Sequence, residues 1–352
     1  MVERRFGLPS ATAKEQVQKQ QVPAPTEVVQ PLPAGQAGRS TAAEVGITDA
    51  DPLRLFVIGD HGGIMDPNPQ NAVSNAMQAA VAAGQTPALV YSVGDWVYFN
   101  GDPADWPSQF YEPYGHLVVP MVGIPGNHDG DTSDNPSRLP LDGWMANLCA
   151  TSPTLPAGAE EYNRDTQTQP WCDWTLQLQT ITVIGVYSNV PSGGHLEQSQ
   201  VAWLTAELAA ADTAKPVIVA LHHPPYSCDQ FHGGSASMGA LLDGAFEASK
   251  RYPELVLTGH VHDYQRFSRT FNGKQIAYIV IGNSGYHNLH KLAPDATPGL
   301  VLMPGVTFEY GDDSEWGYLS LAISGGTITG TYTGVAEDGG VTPNKDSFVA
   351  GH

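Results

Sequence analysis

Five short stretches of this chain end in side chains that can bind metal ions. Each is an apolar run followed by Asp, Asn or His, and four of the five pass through a glycine. The polar residues at their ends are Asp60, Asp95 with Tyr98, Asn127 with His128, His222, and His260 with His262. Hard oxygen donors and imidazoles that converge from separate strands are typical ligands of a two-metal hydrolase.

Each of these polar residues follows a segment with the composition of a buried strand. The run Ala88–Val93 is aliphatic, β-branched or aromatic apart from one Ser, and Gly94 ends it just before Asp95. In open α/β sheets, ligands bind in the crevice beyond the carboxyl ends of the strands. Asp95 is therefore predicted to lie at such a crevice, and the other four segments end in the same way.

The rest of the chain predicts alternating strands and helices, followed by strands alone. Helices are expected over 71–83, 196–210 and 238–250. Besides the five runs, strands are expected over 174–178, 180–187, 275–281, 317–323 and 327–333. Residues 130–172 are predicted to form a long irregular insert, and about 283–315 a Gly- and Pro-rich loop.

The first 50 residues are predicted to be a disordered leader rich in Pro and Gln. Between Phe6 and Phe56 there is no aromatic residue. Such a composition cannot bury enough apolar surface to offset the entropy lost on ordering. We therefore expect a catalytic domain over residues 51–335, with its insert at about 130–172, and a flexible C-terminal tail over 336–352.

Acidic residues outnumber basic ones by 36 to 16, and the formal net charge is −20. Nucleic acids and anionic membranes bind proteins mainly through Lys and Arg, so neither is an expected partner. The sequence contains no run of about 18 apolar residues, so no membrane-spanning helix is expected. No apolar signal-peptide core follows Met1. An exported mature form and a cytoplasmic protein both remain open, and the oligomeric state is not indicated.

In chain order, the five segments match the motifs GDxG, GDxxY, GNHD, VxxH and GHxH. This set resembles the motifs of the metallophosphoesterase (calcineurin-like) superfamily and, within it, of the purple acid phosphatases. The resemblance covers roughly residues 53–333. It implies an α/β fold, a four-layer α/β/β/α sandwich with two mixed β-sheets, in which the strand-rich C-terminal part completes the second sheet.

The resemblance also implies a dinuclear metal centre. The ligands would be Asp60, Asp95, Tyr98 and His262 for the first metal, and Asp95, Asn127, His222 and His260 for the second. Most superfamily members open with D-x-H, but here the residue two positions after Asp60 is Gly62, which has no ligand atom. A Tyr98 phenolate would replace the missing nitrogen and favour Fe(III), while Fe(II), Zn(II) or Mn(II) is expected at the second site.

Four further residues are expected to act around the metals. The resemblance implies that His128 contacts the phosphate or assists the leaving group, and that Asp129 orients His128 through a hydrogen bond. His232, ten positions after His222, is a candidate for a second histidine of this kind. His223 is the other candidate.

The remaining histidines and the cysteines have no catalytic role in this interpretation. His61 is expected to point away from Asp60 on an extended backbone, in a supporting or surface role. His116, His195, His287, His290 and His352 are expected to be exposed loop residues, although His287 and His290 lie in a loop that could rim the pocket. Cys149 and Cys172 are either bridged or free, and Cys228 is a bystander.

These residues predict a hydrolase that acts on phosphoric ester bonds. The expected reaction is that of an acid phosphatase, in which a metal-bound hydroxide attacks a small phosphate monoester. Two alternatives remain. One is a phosphodiesterase or nucleotide hydrolase that uses the same dimetal site, and the other is a non-catalytic binding protein that kept the fold.

Overall fold

The helices and strands come from a computed structural model that describes residues 38–132, 134–135, 137–188 and 194–351. The strands are β1 (Arg39–Thr41), β2 (Leu53–Ile58), β3 (Leu89–Ser92), β4 (Met121–Gly123), β5 (Trp174–Gln177), β6 (Thr182–Val186), β7 (Val217–Leu221), β8 (Leu255–Thr258), β9 (Tyr264–Phe271), β10 (Lys274–Ile281), β11 (Leu300–Met303), β12 (Val306–Asp312), β13 (Trp316–Ser324), β14 (Thr327–Val335) and β15 (Val341–Gly351). The α-helices are α1 (Asn68–Ala82), α2 (Glu112–Tyr114), α3 (Asn127–Gly130), α4 (Asp142–Leu148), α5 (Gln198–Ala210) and α6 (Ala236–Ser249). One π-helical turn (Pro107–Tyr111) precedes α2, and 3₁₀ turns cover Ala43–Val45, Pro103–Asp105 and Glu160–Tyr162.

The strands form two mixed sheets. One has nine strands in the order β1-β5-β6-β7-β8-β10-β9-β12-β11, and the other has six in the order β15-β14-β13-β2-β3-β4. In the six-stranded sheet β2, β3 and β4 are parallel neighbours, and in the nine-stranded sheet β7 and β8 are. These are the strands that precede the candidate site residues. Within each sheet their carboxyl ends therefore lie at one edge.

Period-2 alternation along the central strands separates the layers. Along β2, Leu55 and Val57 pack between the two sheets, whereas Phe56 and Ile58 belong to the cluster that also contains Met77 of α1. The outer face of the nine-stranded sheet packs in the same way against α5 and α6. The order of layers is thus helix, sheet, sheet, helix. The predicted α/β/β/α sandwich with two mixed sheets is confirmed.

The C-terminal residues do not form the flexible tail that their composition predicts. Residues 341–351 form β15, which pairs antiparallel with β14 at the edge of the six-stranded sheet. Phe348 and Ala350 point into the core, with 8% and 7% of their surface exposed. Gly330 of β14 makes room for Phe348, because a Cβ at that glycine would collide with the phenyl ring. Pairing and burial with a distant strand outweigh the polar, Gly-rich local sequence.

Two other segments contain more regular structure than predicted, and the C-terminal strands are distributed differently between the sheets. The expected loop at 283–315 includes the hairpin β11–β12, which adds to β9. The insert at 130–172 contains α4. The strand-rich C-terminal part is divided, because β9–β12 join the nine-stranded sheet and only β13–β15 join the six-stranded one.

The described part of the predicted leader contains regular structure, which includes the 3₁₀ turn Ala43–Val45. Within the expected leader, Arg39–Thr41 form β1, which pairs parallel with β5. Most of that leader, residues 1–37, lies outside the described residues, and the division into domains stays a prediction.

The cysteines are free, which decides the alternative left open for Cys149 and Cys172. Both are buried, as is Cys228. Burial raises the pKa of the Cys149 and Cys172 thiols well above its usual value, so both stay protonated and unreactive.

None of the helices in the described part of the chain combines the length and apolar composition that crossing a bilayer requires.

A pair of substitutions tests whether β15 belongs to the core. Phe348→Ala should lower the free energy of unfolding by about 3 kcal/mol, because it leaves a cavity beside Gly330. The neighbouring Val349 is 70% exposed, so Val349→Ala should change that free energy by less than about 0.5 kcal/mol. Denaturant unfolding of the two variants makes the comparison. Equal and small effects would mean that β15 does not pack as described.

Candidate metal centre

The candidate ligands all lie just beyond strand ends. Asp60 follows β2, Asp95 follows β3, Asn127 begins α3 after β4, His222 follows β7, and His260 and His262 follow β8. Tyr98 comes three residues after Asp95. Because the inner faces of the two sheets pack together, loops from both sheets meet at one edge of the sandwich.

Asp60, Asp95 and His222 form the tightest group, in which one ligand atom from each lies within 4.8 Å of the others. His222 Nε2 is 3.3 Å from Asp95 Oδ2 and 3.9 Å from Asp60 Oδ1. All three side chains are buried, with at most 1% exposed. Two carboxylates and an imidazole this close together can share one cation.

Asn127 brings His222 and His260 together. The amide oxygen of Asn127 is 3.1 Å from His222 Nε2 and 2.9 Å from His260 Nδ1. The three side chains therefore offer one oxygen and two nitrogens at contact distance, and all three were predicted to bind the same metal.

Tyr98 lies between Asp60 and His262. Its hydroxyl oxygen is 3.3 Å from Asp60 Oδ1 and 3.3 Å from His262 Nε2. His262 Nε2 is in turn 3.5 Å from Asp60 Oδ1. The tyrosine side chain is fully buried. A phenol oxygen, a carboxylate oxygen and an imidazole nitrogen thus converge on one point.

Gly62 leaves the space that this tyrosine occupies. A Cβ at position 62 would lie 2.9 Å from Tyr98 Cδ2, 2.8 Å from the Trp96 carbonyl oxygen and 2.7 Å from Gln109 Oε1. Gln109 cannot easily move aside, because its amide bonds both the backbone N–H and the carbonyl of Tyr98. A histidine at position 62 and a tyrosine placed like Tyr98 are therefore mutually exclusive here.

Three candidate ligands have a left-handed backbone. The φ angles of Asp60, Asp95 and His260 are 53°, 55° and 68°, a conformation that is costly for residues with a Cβ and is concentrated at functional sites. Glycines allow the loops to approach closely. At Gly126 a Cβ would collide with Asp95 Oδ1, and at Gly259 it would lie 2.5 Å from Asp60 Oδ2.

Electrostatics provides the test of whether these residues fit metal ions. Burial is the main cause that raises the pKa of Asp60 to about 8, with His222 opposing the rise and Asp95 adding to it. Burial would also raise the pKa of Asp95, but the charges of His222 and His128 bring it below its usual value. Burial acts against a charged His222, yet Asp95 and Asp60 raise its pKa to about 9. Negative charge in this cluster is thus stabilised by nearby positive charge, which a bound cation would supply.

The other two imidazoles favour the neutral form that binds metals. Burial lowers the pKa of His262 to about 3 and that of His260 well below its usual value. His262 Nδ1 donates to the Asn288 carbonyl at 3.1 Å, and His222 Nδ1 donates to the Val93 carbonyl at 2.9 Å. These bonds leave Nε2 of both rings free for a metal. The donor set therefore fits a dinuclear centre with oxygen and nitrogen ligands.

The hydrogen bonds of Asp129 differ from the prediction that it orients His128. His128 Nδ1 donates to the Phe99 carbonyl at 2.6 Å, and its backbone N–H donates to Asp95 Oδ1 at 2.9 Å. The Asp129 carboxylate instead accepts the backbone N–H groups of Trp96, Val97 and Gly126. Asp129 therefore ties together the loops that carry Asp95 and Asn127, and the Phe99 carbonyl is what orients the His128 ring.

His223 and His232 both lie beside His260. The ring centroids of His223 and His260 are 4.4 Å apart, and those of His232 and His260 are 4.9 Å apart. His223 is 1% exposed, and its Nδ1 is 2.7 Å from the Ser188 hydroxyl. His232 is only half-buried. Both candidates for the second outer histidine are thus near the centre.

Sequence reasoning missed Tyr286 and was wrong about the exposure of His290. Tyr286 has its ring centroid 4.2 Å from that of Tyr98, and His290 has its centroid 4.5 Å from that of His262. The prediction that His290 is exposed is wrong, because it is 7% exposed and its Nδ1 is 3.1 Å from Asp229 Oδ2. The pairing of strands is the feature that could have located both residues near the centre. β10 runs parallel to β8, so the loop after β10 lies at the same edge as His260 and His262.

The surface alternative for His61 is also wrong. It is fully buried, with Nε2 3.0 Å from the Ser92 hydroxyl and its ring against Trp96. Burial lowers its pKa to about 3. His116 and His195 are exposed as predicted, His287 is half-buried, and His352 lies outside the described residues.

Comparison with known families decides the broader class. The calcineurin-like phosphoesterase family matches residues 53–264, more than half of the chain. This protein belongs to the calcineurin-like phosphoesterase family. The matched segment begins with β2 and extends just past His262, so it contains every candidate metal ligand.

Similar proteins include purple acid phosphatases of Arabidopsis thaliana. Purple acid phosphatase 22 is 35% identical over 96 residues, which are 25% of this chain and 22% of the relative. Purple acid phosphatase 23 is 25% identical over 278 residues, 70% of this chain and 55% of the relative. The chain therefore spans from about a fifth to about half the length of these curated relatives.

Solved structures share the fold of this protein. Purple acid phosphatase PPD1 from yellow lupin (Lupinus luteus) seeds aligns with a TM-score of 0.62 and 18% identity, over 85% of this chain and 54% of that one. GAP50, the anchor in the inner membrane complex of Plasmodium, aligns with a TM-score of 0.57 and 14% identity, over 85% and 88%. At these identities the similarity shows the fold alone.

The close packing at Gly62 gives a prediction about stability. Gly62→Ala should lower the free energy of unfolding by about 1–3 kcal/mol, because the methyl group must displace the Trp96 carbonyl and the bonded Gln109 amide. Gly244→Ala is the control, since a Cβ there meets nothing within 4 Å and Gly244 lies inside α6. That change should be stabilising by about 0.5–1 kcal/mol. If Gly62→Ala unfolds like the wild type in denaturant, the packing around Tyr98 is looser than described.

Proposed function

We propose that this protein is a dinuclear metal-dependent acid phosphatase of the purple type that hydrolyses small phosphate monoesters. The observation that carries the proposal is the position of Tyr98, whose hydroxyl lies 3.3 Å from both Asp60 Oδ1 and His262 Nε2. Gly62, beside it, takes the place of the histidine found in D-x-H members. Similarity to proteins named as purple acid phosphatases supports the same choice.

The contacts between the candidate ligands support two proposed ligand sets. The proposed ligands are Asp60, Asp95, Tyr98 and His262 for one metal, and Asp95, Asn127, His222 and His260 for the other. The first set has three oxygens that can be anionic and one nitrogen, which favours Fe(III), whereas the second suits Fe(II), Zn(II) or Mn(II). Two such cations would polarise the phosphate ester and supply a hydroxide nucleophile.

His128 is the proposed partner of the leaving group. Its Nδ1–H is engaged by the Phe99 carbonyl, so the ring is oriented and Nε2 is available to exchange a proton with the substrate. Its ring centroid is 4.6 Å from that of Tyr98, which keeps it beside the proposed first metal. Asp129 contributes indirectly, by holding the backbone of the two loops that it bonds.

Of the two remaining histidines, His232 is the better candidate for contact with the substrate. It is half-buried, whereas His223 is 1% exposed and its Nδ1 is already engaged by Ser188. His223 packs between the rings of His222 and His260, with centroid distances of 5.1 Å and 4.4 Å. We therefore assign His223 to the support of these two ligands.

The visible spectrum tests the proposal. Iron-loaded wild-type protein should be coloured by charge transfer from the Tyr98 phenolate to Fe(III), and Tyr98→Phe should lose this absorption band while the protein stays folded. Tyr286→Phe is the matched control, because Tyr286 lies next to Tyr98 and the substitution removes a hydroxyl group from the same region. That variant should keep the band.

Activity assays separate the proposal from its alternatives. With metal-replete protein, a monoester of an aryl alcohol should be hydrolysed faster than the diester of the same alcohol. Faster hydrolysis of the diester would favour a phosphodiesterase on the same site.

The spectroscopic test has its own contradicting outcome. A colourless iron-loaded protein, or an absorption band that survives in Tyr98→Phe, would contradict the role of Tyr98.

A further inference from the structure

Two exposed aromatic residues stand out on the described surface. Among the Phe, Tyr and Trp residues of the described ranges, only Phe99 and Phe231 are exposed, to 43% and 58%. Leaving an aromatic ring in water forgoes the free energy of burying it, so exposed rings at a site often contact a ligand. Both residues lie beside the metal centre.

The two phenylalanines are the ends of a continuous series of rings. From Phe99 the series passes through Tyr286, His262 and His290 to Phe231, with successive centroid distances of 6.2, 4.6, 4.5 and 5.3 Å. We call these five rings the aromatic arc. Its middle member, His262, is a candidate ligand, so the arc borders the place where a phosphoryl group would bind.

Hydrogen bonds hold both ends of the arc in position. One oxygen of Asp229, Oδ2, accepts the backbone N–H of Phe231 at 3.1 Å and Nδ1 of His290 at 3.1 Å. At the other end, the carbonyl of Phe99 accepts from His128. The arc is thus preorganised, and binding a flat ligand would not require its loops to order first.

The charges near the arc argue against a second phosphate on the substrate. Arg138 donates to the carbonyls of Asn100 and Gly101, next to Phe99, but it is also paired with Asp142 and Asp102. Lys291, next to His290, donates to the Asp313 carbonyl at 2.6 Å and lies 3.5 Å from its carboxylate. Both cations are already neutralised, so the arc offers aromatic surface and little positive charge.

We propose that the aromatic arc binds an uncharged, flat leaving group, so that the substrates are phosphate monoesters of phenols and similar aryl alcohols. This inference rests on the proposed function, in which the metals hold the phosphoryl group. Water forms the new bond to phosphorus, the bond between phosphorus and the aryl oxygen breaks, and the oxygen leaves with a proton as the phenol. The other product is inorganic phosphate.

Binding of two phosphonates tests the inference without hydrolysis, because their carbon–phosphorus bond stays intact. Metal-replete wild-type protein should bind phenylphosphonate about fivefold more tightly than methylphosphonate in a calorimetric titration, since one or two aromatic contacts are gained. Phe99→Ala and Phe231→Ala should each lower this ratio, and the double variant should bring it close to one. The metal content of each variant is measured alongside.

Val118→Ala is the control for loss of an exposed apolar side chain. Val118 is 91% exposed and precedes β4, so it lies at the amino end of that strand, away from the centre. In the Val118→Ala variant, the ratio of the affinities for phenylphosphonate and methylphosphonate should equal that of the wild type. Equal affinities of the wild type for the two phosphonates, or an unchanged ratio in the double variant, would overturn the inference and leave the proposed function standing. If neither phosphonate binds, the proposed function fails and the inference fails with it.

Discussion

Two carboxylates buried side by side set the constraint on which the rest of the structure depends. Asp60 and Asp95 are at most 1% exposed, and in the described part of the chain their ion pairs are all with histidines. Like charges so close together in a low-dielectric interior are unfavourable unless cations or protons compensate them. Nitrogen and oxygen donors from four loops surround the pair, which is the arrangement that two metal ions would stabilise.

The sandwich stabilises this arrangement, because its core fixes the backbone of the loops that carry the ligands. The ligand loops follow strands whose inner faces share one apolar cluster, so their ends are positioned by the core. Asp129 bonds backbone N–H groups of two of these loops, and Gln109 holds the backbone of Tyr98. Glycines at positions 62, 126 and 259 permit approaches that a side chain would block. Packing therefore holds ligands that repel one another.

Local patterns predicted what depends on local sequence. An apolar run that ends in Gly-Asp is visible in the chain, and so the loops carrying Asp60 and Asp95 could be located in advance. Features that depend on pairing between distant segments were not predictable in this way. β15 has a loop-like composition and is a strand because it pairs with β14. Tyr286 and His290 reach the centre because β10 pairs with β8, and the role of Asp129 depends on backbone donors that no side-chain pattern reveals.

Anomalous X-ray scattering from crystals of the iron-loaded protein tests the central claim most directly, namely that Asp95 joins two metals and Tyr98 binds one of them. The account predicts two peaks about 3.5–4 Å apart, on either side of the Asp95 carboxylate. One of them should lie within bonding distance of the Tyr98 oxygen. A single peak among Asp60, Asp95 and His222, with the Tyr98 oxygen outside bonding distance, would contradict it.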